Sequence, residues 1–195
     1  MRPRACRADS ARSASFATGV QSGAVTTTRL LSDDALLAEC REDRYRGSGP
    51  GGQKRNKTSN AVRLVHVATG LIVTATESRS LKENQLYALR RIRLKLATDL
   101  REPVDLRTFE PPDWFATIRR DTRIEASHRH PLYAAAVGLV LDLLAALGGN
   151  PAAVAINLGV STTAVIKLLE AEPQAWAAAN RVRAELSLPA LAHRR

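Results

Sequence analysis

The residues that could do chemistry in this chain are gathered in one stretch, Arg46-Gly47-Ser48-Gly49-Pro50-Gly51-Gly52-Gln53-Lys54-Arg55-Asn56-Lys57-Thr58. Four glycines and a proline within six residues exclude helix and strand, because glycine weakens regular structure and admits positive φ while proline removes a backbone donor. Such a backbone can approach a ligand closely, and its N–H groups are free to stabilise a developing oxyanion. The cations that follow, Lys54, Arg55 and Lys57, point to a polyanionic partner. The chemistry this allows is electrostatic stabilisation by the main chain, with the amide of Gln53 as the polar side chain beside it. The stretch offers no Ser-His-Asp set and no paired carboxylates, so no protein general base is expected.

Other chemistries fit poorly. Gly47, Gly49 and Gly52 match the dinucleotide pattern G-x-G-x-x-G, but Arg44-Tyr45-Arg46 before it is no hydrophobic strand and Lys54 to Asn60 does not open a helix. No Gly-Lys-Ser/Thr triplet forms a phosphate loop. His66, His128, His130 and His193 lack metal-site spacing, and Cys6 and Cys40 form neither a motif nor a disulfide framework. The expectation is no metal and no cofactor.

Charge supports a polyanionic partner. The net charge of +10 sits almost entirely in residues 41–101, which carry +9, while residues 102–195 are neutral overall. A basic block of this kind is the electrostatic footprint of nucleic acid. No apolar run reaches membrane-spanning length, and the hydrophobic share of 45% supports a packed core.

The elements that must position the stretch follow from periodicity. Residues 1–29, rich in Arg, Ser, Ala and Thr, read as a flexible N-terminal segment. Ser32-Asp33-Asp34 starts a capped short helix, and residues 41–46 form an extended lead-in. Asn60 to Val67 and Leu71 to Thr76 are β-branched runs joined by a turn at Gly70. A long helix from Ser80 to about Leu100 puts Leu86, Leu89, Ile92, Leu96 and Leu100 on one stripe, with Arg90, Arg91 and Lys95 outside it. This gives a small α+β domain over residues 30–101. Residues 102–130, with three prolines, read as a linker or surface wrap. Residues 131–195 read as a helical extension, with an apolar helix from Leu132 to Leu147, a glycine C-cap, Asn150-Pro151 opening the next helix and a last helix from near Pro173. PAAVAINLGVSTTAVIKLL within it fits a helix-turn-helix pattern. Its second helix has only Lys167 as a cation, so sequence-specific DNA reading is not expected, and Trp176, Ala179 and Val182 read as core.

The loop, the hairpin, Glu77-Ser78-Arg79-Ser80 and Asn84 together resemble the catalytic domain of class-I peptide chain release factors over about residues 40–100. The resemblance implies hydrolysis of the ester between nascent peptide and P-site tRNA inside the ribosome. It assigns Gly51, Gly52 and Gln53 to catalysis, with the backbone N–H at Gln53 facing the ester. It implies large-subunit ribosomal RNA and peptidyl-tRNA as partners of a monomer in the cytoplasm, or in the mitochondrial matrix if the chain is eukaryotic. Lys54, Arg55, Lys57, Arg90, Arg91 and Lys95 would meet RNA phosphates. Arg79, Ser80 and Asn84 would serve as structural support. Codon-specific members are much longer, so codon-independent release on stalled ribosomes is expected. The short rescue hydrolases that the chain also resembles carry a basic C-terminal tail, which a neutral helical extension replaces here. The alternative is a ribosome- or RNA-binding factor without hydrolysis.

Overall fold

The computed structural model describes residues 28–46 and 59–193. Gly51, Gly52, Gln53, Lys54, Arg55 and Lys57 lie outside the described residues.

The chain opens with a short helix α1 (Asp33–Ala38), capped as its sequence requires: Ser32 Oγ accepts from the Ala35 N–H at 3.2 Å. Three antiparallel strands follow, β1 (Cys40–Tyr45), β2 (Ala61–His66) and β3 (Ile72–Ala75), in that spatial order. Alternation sets the faces. Val62, Leu64 and His66 of β2 are buried, while Arg63 is exposed and pairs across the ladder with Asp43 at 3.1 Å. The β2–β3 turn uses Gly70 at φ +70°, a left-handed conformation that a side chain would resist although the space around it is open.

The long helix α2 (Leu81–Asp99) lies on this sheet. Leu89, Ile92 and Leu96 are buried against it, joined by Leu36, Val62, Leu64, Ala75 and Ala88. Leu86, expected on the same stripe, is 38% exposed. The face at this end of the helix is set instead by Asn84 and Ala88, both fully buried, because Asn84 is tied by hydrogen bonds to the strands' approach.

Beyond α2 come α3 (Asp113–Ile118), a two-residue hairpin β4 (Arg119–Arg120) and β5 (Arg123–Ile124), and four helices: α4 (Tyr133–Ala146), α5 (Pro151–Leu158), α6 (Thr162–Glu170) and α7 (Pro173–Glu185). Apart from Asp142, α4 is apolar on every side, and it sits at the centre of the second core. The prolines at 103, 111 and 112 suggested a linker or surface wrap for residues 102–130. The structure instead buries Phe115 and Ile118 in the helical core, and the Thr122 carbonyl accepts from the Ser161 N–H at 2.8 Å. Two apolar residues three apart in a six-residue helix give too little periodicity to be seen in sequence. α5 and α6 meet at 109° across Gly159-Val160-Ser161, the angle of a helix-turn-helix. No single helix among the described residues is long and apolar enough to cross a membrane.

α2 is shared by both cores: the sheet covers one face and α4 packs on another. The second face is held by buried charge. Arg29, expected in a flexible segment, is 2% exposed and pairs with Asp142 of α4 at 2.6 Å while donating to the Leu100 carbonyl at 2.8 Å. Asp142 also accepts from Arg101 at 3.0 Å and from the Glu102 N–H at 3.1 Å. An arginine at the end of a Ser- and Thr-rich stretch gives no sequence sign that it will be buried; its carboxylate partner is 113 residues away. Gly138 makes the approach possible, since a Cβ there would lie 2.5 Å from Arg29 Nη1.

Candidate functional site

The glycine stretch leaves the sheet and returns to it at paired positions. Tyr45, the last residue of β1, is the register partner of Ala61, the first of β2, and residues 46–60 connect them. The site is therefore carried on two adjacent strand ends, and its geometry depends on how those ends are fixed.

Both are tied to the first turns of α2. On the β2 side, Asn84 is fully buried and makes three hydrogen bonds. Its Nδ2 donates to the Asn60 carbonyl at 2.6 Å and to the Ser78 carbonyl at 2.8 Å, and its Oδ1 accepts from the Ser78 N–H at 2.9 Å. Asn60 in turn donates to the Arg79 carbonyl at 2.6 Å. One amide thus locks the returning end of the loop to the segment that enters the helix. Ser80 caps that helix, accepting from the Glu83 N–H at 3.4 Å, and its own N–H donates to Ser78 Oγ at 3.0 Å. On the β1 side, Gln85 donates to Glu42 at 2.6 Å, and Glu42 accepts from Arg44 at 2.6 Å. Adjacent residues of α2, Asn84 and Gln85, therefore hold one strand end each. Gln85 and Glu42 were not singled out from sequence. Glutamine and glutamate in an exposed-looking pattern carry no signal, and only the register brings them together.

The expected RNA-facing cations separate into two kinds. Arg91 donates to the Thr74 carbonyl and pairs with Glu77, both at 2.5 Å, and Lys95 pairs with Asp99 at 3.1 Å. Arg90 is exposed and has no hydrogen bond or ion pair with the described residues. Arg79 offers its carbonyl to Asn60, and its side chain lies exposed. Burial pushes Glu77 up, but hydrogen bonds from Arg91 and from backbone N–H groups outweigh it and hold the carboxyl below its ordinary value.

Arg93, absent from the sequence reading, is 8% exposed and donates to the carbonyls of Arg29 (3.0 Å) and Leu31 (2.6 Å) and to Asp33 (2.8 Å). It fastens the entry segment to α2.

The remaining reactive groups are accounted for structurally. Burial, then the neighbouring Glu39 carboxylate, pushes the Cys40 thiol up, which keeps it protonated and a poor nucleophile. His66 is buried between Thr69 Oγ1 at 2.8 Å and Glu39 at 3.1 Å, pinning the hairpin turn to the end of α1. No group of three or more His, Cys, Asp or Glu among the described residues could hold a metal. What the frame can do is present a short glycine-containing segment, with fixed ends, from one edge of a rigid helix-backed sheet.

Residues 36–110 match the family model described as RF-1 domain. The chain is 50% identical over 63 residues to peptide chain release factor 2 of Mycobacterium leprae (strain Br4923), which covers 32% of this chain and 17% of that protein. It is 45% identical over 68 residues to that of Corynebacterium glutamicum (strain R), covering 35% and 18%. It is 41% identical over 87 residues to that of Mycobacterium avium (strain 104), covering 45% and 23%. The chain thus spans about a fifth of the length of these relatives. The matched segment contains Gly51-Gly52-Gln53 and both strand ends that bracket it, and over residues 36–110 the chain is similar to the RF-1 domain of peptide chain release factors.

Proposed function

We propose that the protein hydrolyses the ester of peptidyl-tRNA in the ribosomal P site and releases the nascent chain. The observation that carries this is the RF-1 domain match over the segment holding Gly51-Gly52-Gln53. The two α2-anchored strand ends support it, because a backbone donor works only if its position is fixed before reaction.

In the proposed reaction water attacks the ester carbonyl carbon, the bond to the tRNA 3′ oxygen breaks, and that oxygen takes up a proton. Negative charge develops on oxygen, and the Gln53 N–H donates to it. Glycine at 51 and 52 lets the main chain reach the ester without a Cβ, while the Gln53 amide shapes the space for water. Lys54, Arg55 and Lys57 hold the segment to RNA phosphates. Ribosomal RNA supplies the remaining wall of the site.

The finer reading is codon-independent action on stalled ribosomes, supported by resemblance to the short rescue hydrolases. Purified protein added to ribosomes with labelled P-site peptidyl-tRNA tests both parts. Release with and without a stop codon in the A site is expected. No release in either case removes the hydrolase reading, and release only with a stop codon removes codon independence. Gly52→Ala is expected to lower release at least about 100-fold, the scale of losing one oxyanion donor, with ribosome cosedimentation retained.

A further inference from the structure

The seam between the catalytic domain and the extension holds a cleft of about 990 Å³. One wall is the outer face of α2, with Tyr87, Arg90 and Arg91 at helical spacing. The other is the segment leading into α4, with His128, Arg129 and His130. Five arginines line the cleft against two carboxylates, Asp33 and Glu172. Three of the five are already engaged: Arg29 with Asp142, Arg91 with Glu77 and Arg93 with Asp33. Arg90 and Arg129, one from each wall, have no partner among the described residues. Tyr87 lies one turn from Arg90 and is 38% exposed. His130 Nδ1 accepts from the Leu132 N–H at 3.2 Å, so the proton of its neutral ring sits on Nε2, leaving a donor nitrogen.

We propose that this cleft is a binding groove for single-stranded RNA, completed by the extension. Arg90 and Arg129 grip successive phosphates from opposite walls, and Tyr87 stacks on a base between them. Paired, unneutralised arginines beside an exposed aromatic ring are the elements of a sequence-tolerant RNA groove. An acidic polypeptide would use the cations but leave the ring without a stacking partner. The groove rests on and deepens the ribosomal reading above: it gives the neutral extension a task, that of placing cations opposite α2.

The test uses the full chain and a fluorescein-labelled single-stranded 12-nucleotide RNA, with anisotropy followed over a series of potassium chloride concentrations. Arg90→Gln combined with Arg129→Gln is expected to weaken binding at least about tenfold and to make the log–log salt slope shallower by roughly 1.4, about 0.7 per phosphate contact. Tyr87→Ala is expected to weaken binding at least about fivefold with the slope unchanged, as loss of a stacked base would. Arg120→Gln with Arg123→Gln, on the small hairpin outside the cleft, is expected to bind like the parent. Thermal melts by circular dichroism establish that each variant folds. Cleft variants with parental affinity and slope overturn the proposal, as does equal loss in the hairpin control. Displacement of the RNA by poly-glutamate at matched charge assigns the groove to acidic polypeptide and overturns it too. Peptide release is scored separately. A parent that binds RNA through the cleft but releases no peptide removes the hydrolase reading and leaves the groove standing.

Discussion

The two faces of α2 are held by different physics. Toward the sheet the contact is apolar, from Ala88 to Leu96, and is finished at its loop end by two neutral amides, Asn84 and Gln85. Toward the extension, buried charge is added to the apolar contacts of Leu94 and Ala97: Arg29 with Asp142, and Arg101 at the rim, while Arg93 ties the entry segment alongside. Neutral amides fix position at little desolvation cost. Buried ions need their partners, and removing one costs far more than the pair contributes. The sheet face thus fixes the strand ends that bracket the glycine segment, and the other face holds the extension partly through paired buried charge.

The sharpest way to break this contrast is Asp142→Asn. It leaves Arg29 buried without a counter-charge and also loosens Arg101. The expected cost is about 3–5 kcal/mol in urea unfolding at pH 7. A loss under about 1 kcal/mol would mean that the charges are effectively solvated and that the docking face is ordinary surface.

Asn84→Ala probes the other face. It orphans the Ser78 N–H and frees the Asn60 carbonyl, so about 2–3 kcal/mol of stability is expected to go. The greater effect should be on release by the still-folded protein, lowered about tenfold or more, because the returning end of the glycine segment is no longer fixed. Release that falls only in proportion to the unfolded fraction would deny the amide any positioning part.

The sequence made one face legible and hid the other. The hairpin, the cap at Ser32, the helix start at Ser80, the glycine turn at Gly70 and the 3.6-residue stripe apart from Leu86 are local patterns with counterparts in the structure. The apolar helix α4 and the helix-turn-helix bend at Gly159 were equally local. What could not be read was long-range pairing. Arg29 finds Asp142 across 113 residues and Gln85 finds Glu42 across 43, and no periodicity marks either. Phe115 and Ile118 join the helical core from a proline-rich stretch, because burial there follows from α3 packing against the bundle, not from a repeating pattern. At the site, the residue types of the glycine segment were evident. The paired strand ends needed the register, and the clamps on them needed the atoms.

Arg101 sharpens the contrast within the charged face itself. Burial lowers its pKa to about 10, outweighing the attraction of Asp142, while Arg29 and Arg181 push in the same direction as burial. The folded protein therefore holds this proton less tightly than the unfolded chain. The cost is fully present below about pH 10 and is relieved as pH rises from there toward the ordinary arginine value. Arg101→Met, with Asp142 still paired to Arg29, is expected to change stability by less than about 1 kcal/mol. It removes one member of the same cluster that Asp142→Asn destroys, so comparable losses in the two variants would show that the cluster acts through number of contacts and not through charge balance.

The smallest effect belongs to the rim of the sheet face, where Arg91 pairs with Glu77 and both side chains are nearly half exposed. Glu77 is held below its ordinary 4.5, so the pair's contribution is present above that pH and lost as pH falls through the lowered value. Solvent screening limits it to less than about 0.5 kcal/mol. Arg91→Gln should therefore sit just below the parent in stability at pH 7 and converge with it as pH falls through the lowered Glu77 value. A gap that persists after the carboxylate has protonated would trace the loss to the Thr74 carbonyl, the other acceptor of Arg91. In that case the arginine braces β3 against α2 by a charge-independent bond, and the neutral-amide logic of the sheet face extends to its edge.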